Sequence, residues 1–178
     1  DMAHGFKLTP EALRAAITPR TKALILPYPN NPTGGIMTKE QLEAIVPVIV
    51  KHDLLVISDE IYAELTYGGK HVSVASFEGM RERTVLISGF SKAFAMTGWR
   101  IGWLAAPKDV AKAIDSFQSH ATSNPSSISQ YATIAALEGS EDELNAMRDV
   151  FNDRRKFMIG RIREIEGLDL IVPDGAFY

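Results

Sequence analysis

The 178-residue chain contains no cysteine. That removes disulfides, thiolate metal sites and a cysteine nucleophile together, and it fits a reducing compartment, so a cytoplasmic protein is expected. Long hydrophobic runs are missing too. The apolar run at residues 44–50 is far shorter than the roughly 20 residues a bilayer-spanning helix needs, and no basic-then-apolar signal pattern opens the chain. No membrane association is expected. Nor is there an excess of positive charge: 19 Lys and Arg against 22 Asp and Glu leave a net of −3, which argues against a nucleic-acid partner. The cluster Arg154, Arg155, Lys156 reads as a solvated helix face. The four histidines, His4, His52, His71 and His120, show no metal-ligand spacing, so no metal is expected. A Walker loop, a dinucleotide glycine fingerprint and a nucleophile elbow are all absent, and there is no internal repeat.

What is present is an apolar fraction of 46%, enough for one compact unit with a real core. Thr9 and Pro10 mark a helix entry, as N-cap and first helical residue, with Leu13 and Ile17 at helical spacing. Thr38 and Gln41 form a capping box ahead of a stripe of Leu42, Ile45, Val46 and Ile49. Pro47 inside that stripe is expected to kink or divide the helix. Three short apolar runs, KALILPY from Lys22, LLVIS from Leu54 and TVLIS from Thr84, read as strands of a parallel sheet buried on both faces; residues 101–105 supply a fourth. From Lys108 the pattern turns helical, breaks at SNPSS, and resumes from Ile128. A long amphipathic helix is expected over 141–166, then a strand over 168–172. The pattern is α/β.

In open parallel sheets ligands bind beyond the C-terminal strand ends, and three features fall there: the loop PNNPTGG, Asp59 with Tyr62, and Ser88 to Lys92. Lys92, flanked by Phe90, Ala93 and Phe94, is either a snorkelling ammonium or a partly desolvated amine, with lowered pKa, able to attack a carbonyl. Arg100 reads as a structural ion-pair partner or a phosphate clamp. Asp59 alone fits a helix N-cap or a metal ligand. Three residues from Tyr62, it would on one helical turn set a carboxylate beside a phenol. Asn31, before Pro32 and Gly34, is by itself a good turn residue.

Taken in order, PNNPTG, SDEIY and SGFSKAFAMTGWRIGW on an α/β frame resemble the class I/II aminotransferases, the fold type I enzymes that use pyridoxal 5'-phosphate, and within them the bacterial aspartate and aromatic branch. The likeness runs from about Phe6 to Tyr178. It implies a three-layer α/β/α large domain with a mostly parallel sheet over residues 1–140, followed by a linking long helix and the start of a small α+β domain over 141–178. It implies Lys92 as the lysine that holds the cofactor as a Schiff base and then moves the substrate proton, and Asp59 as the partner of the pyridine nitrogen. Asn31 and Tyr62 would hydrogen-bond the cofactor's 3'-oxygen, Arg100 would grip the phosphate, and Ser91 and, less firmly, Ser88 would add hydrogen bonds to it.

Ser123, Asn124 and Pro125 match a segment that in the family approaches a neighbouring subunit, implying a homodimer. Gly175 to Tyr178 resembles the start of the small-domain strand. The expected function is amino-group transfer between an amino acid and a 2-oxo acid in two half-reactions. A C–S lyase of the same fold would use the same residues; a non-catalytic ligand-sensing domain of a regulator is a further alternative, against which stand the intact Lys92, Asp59 and Arg100 set and the acidic balance. The opening without methionine and the apolar close at Ala176-Phe177-Tyr178 lead to the expectation of a fragment, inactive by itself.

Overall fold

The computed structural model describes residues 2–139 and 141–178. Asp1 and Ser140, the two ends of the expected large domain, lie outside the described residues.

Helix α1 spans Pro10–Ala16, and the Thr9 hydroxyl accepts from the Ala12 amide at its start. Strand β1, Ala23–Pro27, leads through the PNNPTGG loop to helix α2, Lys39–Lys51. Both halves of the Thr38–Gln41 capping box form, at 2.9 and 3.3 Å. Pro47 does not divide α2. Pro47 and Glu43, whose carbonyl loses its usual partner, both face solvent, where water can satisfy that carbonyl. Meanwhile Leu42, Ile45, Val48 and Ile49, all 4% exposed or less, hold both halves of the helix to the core.

Strands β2, Leu55–Asp59, β3, Thr84–Gly89, and β4, Gly102–Ala105, complete a sheet in the order β1-β2-β3-β4. The first two pairings are parallel and the last is antiparallel, so the sheet is mostly parallel. The remaining helices are α3, Lys108–Ala121, α4, Ser127–Glu138, and α5, Glu141–Arg163. The break at SNPSS falls between α3 and α4, and α5 stops three residues short of the expected end.

Alternation decides the sheet's two faces. Leu24, Leu26 and Val56 turn toward the core that α1 and α2 close. Ile25, Ile87 and Leu104 turn the other way and are 67%, 37% and 37% exposed. The expectation that β1 is covered on both faces is therefore corrected: the described helices cover one of its faces.

The expected strand over 168–172 does not form either. That segment has no ladder partner among the described residues, and pairing is confined to one antiparallel bridge between Thr66 and Gly175. The residues just after it are instead stitched to the PNNPTGG loop, since the Asp174 and Gly175 amides both donate to the Gly34 carbonyl at 2.9 Å. Gly34 has φ +66°, and a Cβ there would overlap the Pro173 side chain, so only glycine fits. Gly175 is similarly pressed between Pro29 and Ile36.

Candidate active site

The loop after β1 folds on itself through Asn30, whose side chain accepts from Thr33 and donates to the Pro27 carbonyl. This turn presents Asn31 outward. The stitch to residues 173–175 carries the chain's last residues across the end of the sheet, and Tyr178 arrives beside Asn31. Its hydroxyl accepts from Asn31 Nδ2 at 2.9 Å and is bonded to the Tyr62 hydroxyl at 3.0 Å. The Tyr178 hydroxyl is held above its usual pKa first by that bond to Tyr62 and then by burial.

Asp59 and Tyr62 do not share a helical turn, as the spacing had led us to expect. Asp59 ends β2, and Tyr62 lies in a tight turn closed by the Ala63 and Leu65 amides, which donate to the Glu60 and Tyr62 carbonyls. A parallel strand delivers its last residue to the crevice and the chain must then turn away, so no helix is needed to place both groups there. Tyr62 is 4% exposed and packs with Leu65 and Ala176, with Met147 and Phe151 of α5 against them. Asp59 Oδ1 accepts from the Ile61 amide at 3.2 Å, its only side-chain hydrogen bond among the described residues, which leaves Oδ2 for another partner.

Lys92 follows β3 in a turn built on Phe90, which is buried and packs against Phe94. Its ammonium stands 5.5 Å from the Tyr62 ring centroid and 5.4 Å from that of Phe177. Among the described residues no carboxylate pairs with it. Two aromatic faces give a cation a weak electrostatic hold, and among the described residues the nitrogen meets no hydrogen-bond acceptor.

The structure thus brings Asn31, Tyr62 and Lys92 to one place. Phe177 and Tyr178, expected only as the start of a strand, join them there. The aromatic pair Phe177–Tyr178, 4.9 Å between centroids, reaches back over more than a hundred residues, and nothing local in the sequence signals it.

Arg100 lies apart from this group. It is exposed, sits in the left-handed region at φ 50°, and donates to the Thr97 carbonyl at 2.9 Å. It has no ion pair among the described residues, so the structural-pair alternative is not realised. Ser91 is half-buried next to Lys92. Ser88 shares its sheet face with Ser58 and Leu86, and its hydroxyl makes a long 3.4 Å bond to the Glu60 carbonyl.

A second polar group was not anticipated. Glu60, 4% exposed, accepts from His71 Nε2 at 2.8 Å, Ser73 at 2.7 Å and Ser58 at 2.9 Å. Burial, the largest single influence, pushes its carboxyl up, but the hydrogen bonds from His71, Ser73 and Ser58 and the His71 charge together hold it below the usual value. Spacing of eleven residues between Glu60 and His71 matches no motif, so only the fold reveals this network.

A cavity of about 590 Å³ lies against this site on the α5 side, lined by Pro32, Tyr67, Phe151, Arg155, Phe177 and Tyr178 among others. Among the described residues no group of three or more His, Asp or Glu side chains could hold a metal ion, and no helix is long and apolar enough to cross a membrane.

These residues fit pyridoxal 5'-phosphate in one checkable respect. Asn31 Nδ2 donates to a phenolic oxygen, here that of Tyr178, and the Tyr62 hydroxyl is hydrogen-bonded to the same oxygen, which is the same chemical kind of atom as the cofactor's ring oxygen. An amine with no acceptor among the described residues stands near it, and Asp59, with an oxygen open among the same residues, ends β2.

The profile of the family Aminotransferase class I and II matches residues 1–178. The chain is 50% identical over 175 residues to an aspartate aminotransferase of Geobacillus stearothermophilus, covering 97% of this chain and 44% of that protein. It is 45% identical over 176 residues to aromatic-amino-acid aminotransferase 2 of Thermococcus litoralis, covering 97% and 45%. The crystal structure of the aspartate aminotransferase from Rhizobium meliloti superposes with a TM-score of 0.96 at 41% identity, covering 99% of this chain and 45% of that one. The chain spans less than half the length of the relatives it matches. With the sheet, the strand-end residues and the whole-length match in agreement, the chain belongs to the class I and II aminotransferases.

Proposed function

We propose that the full-length protein is a pyridoxal 5'-phosphate-dependent aminotransferase that moves an amino group between an amino acid and a 2-oxo acid. The observation that carries this reading is the convergence of Asn31 and Tyr62 on one phenolic oxygen beside the acceptor-free amine of Lys92. When bound, the cofactor supplies an aldehyde carbon that an amine can capture and a ring that takes up the electron pair left when a Cα proton departs.

Each residue has a distinct task. Lys92 would hold the cofactor through its aldehyde carbon and would serve as the base that moves the substrate Cα proton. Asp59, through its open Oδ2, keeps the pyridine nitrogen protonated by its fixed negative charge. Asn31 and Tyr62 donate to the ring oxygen and favour its ionised form. Arg100 grips the phosphate, with Ser91 beside Lys92 as a further donor. Ser88 is the weaker candidate, because its hydroxyl already turns to the Glu60 carbonyl.

In this reading residues 1–140 are the cofactor-binding domain and 141–178 the link to a smaller one. The protein works as a homodimer in the cytoplasm. Exposed Phe117, Ile128 and Tyr131, 76%, 72% and 75% accessible on α3 and α4, support a subunit contact near Ser123 to Pro125, and the lack of cysteine supports the compartment. The test is an assay of the full-length protein with cofactor and an amino acid. Keto acid formed together with transfer of the amino group to an added 2-oxo acid is expected. Release of pyruvate and ammonia, with no transfer, would point to lyase chemistry instead.

A further inference from the structure

We propose that the buried Glu60–His71–Ser73 network is a positioning device for the cofactor-facing groups Asp59 and Tyr62; this rests on the functional reading above. Alternation puts Ser58 and Glu60 on the core side of β2 and Asp59 on the other, so the two carboxylates stand back to back across the backbone. The side-chain bond from Ser58 to Glu60 Oε1 at 2.9 Å confirms that those two share a side.

Glu60 is fixed at every polar group. Its side chain is tied to His71 and Ser73, which lie on a different stretch of chain, at 2.8 and 2.7 Å. Its amide donates to the Ile87 carbonyl of β3 at 2.8 Å, and its carbonyl accepts from the Ala63 amide at 2.9 Å. Asp59 is the residue before this anchor and Tyr62 is two residues after it, so neither can shift along or around the strand end without breaking a bond of Glu60. A carboxylate can only accept, so His71 must carry its hydrogen on Nε2. Loss of that donor leaves a buried charge short of a partner, and the strand end must move to find one.

The network touches neither Lys92 nor the phenolic oxygen. Its effect on the site is therefore one of aim, which separates it from a merely structural role. The experiment is cofactor binding to the full-length protein, read by the dissociation constant and by the circular dichroism that the bound chromophore acquires from its oriented surroundings.

His71→Ala is expected to weaken pyridoxal phosphate binding about tenfold and to change the induced dichroism, and His71→Gln, whose amide N–H reaches the position of Nε2, to restore most of both. Ile49→Val, which loosens the same core from the α2 side, is expected to lower the thermal midpoint and leave both readouts unchanged. Should His71→Ala fail to fold, Ser73→Ala removes a single donor, with about threefold weaker binding expected. Variants that lose thermal stability but bind the cofactor with the wild-type constant and dichroism would overturn the proposal. A wild-type protein that takes up no cofactor would overturn the functional reading itself, and the positioning role with it.

Discussion

Asp59 and Glu60 are adjacent carboxylates whose surroundings differ at every point. Glu60 is buried and meets three side-chain donors supplied by the protein. Asp59 is half-buried on the opposite side of the strand and meets one local amide. The same contrast separates the cations: Arg83 is bound to Asp53 at 2.7 Å, whereas Lys92 and Arg100 have no carboxylate partner among the described residues. Folding satisfies its own polar groups first, because an unmet buried charge costs several kcal/mol. Groups left open at the ends of the strands are thus the ones available to a ligand.

The comparison is broken most sharply by matched amide substitutions of the two carboxylates. Asp59→Asn in the full-length protein should lower turnover about 10²–10³-fold with little change in the urea midpoint. Glu60→Gln should act first on the fold, costing about 2–3 kcal/mol of stability, and should weaken cofactor binding as His71→Ala does, with a smaller loss of turnover than Asp59→Asn. The two carry different pH signatures. Because the folded-state pKa of Glu60 is depressed from 4.5, its contribution is fully present above that value and disappears as pH falls through the folded one. Wild-type stability should therefore decline from about pH 5 downward more steeply than that of Glu60→Gln, as urea denaturation across that range will show.

Gly34→Ala tests the strap that joins the two regions. A side chain at φ +66° that also meets Pro173 should cost about 1–2 kcal/mol, and the displaced segment should loosen Tyr178 from Asn31. Smallest is Thr38→Ala, far from the site, which removes the α2 cap for about 1 kcal/mol and should leave cofactor binding untouched.

Much of the fold was legible because local chemistry and tertiary context agree there. Thr9 with Pro10, and Thr38 with Gln41, cap the helices their positions announce, and the apolar runs ending near Pro27, Asp59 and Gly89 are the three parallel strands. Expectations failed where the outcome depends on something not local. Pro47 does not divide its helix, because it faces water and the core holds both halves, and among the described residues the segment 168–172 finds no strand to pair with and Ile25 no covering layer. The residues proposed to face the cofactor lie in motifs the sequence displays, whereas Glu60 with His71, and Asn31 with Tyr178, are joined only by the path of the chain between them.

The account depends most on Lys92 being the amine left free for a cofactor aldehyde. Borohydride reduction of the full-length protein saturated with pyridoxal 5'-phosphate, followed by peptide mapping, tests this directly. The cofactor should be found fixed to Lys92 and to no other lysine. Attachment at a different lysine, or none at all with the protein folded, would contradict it.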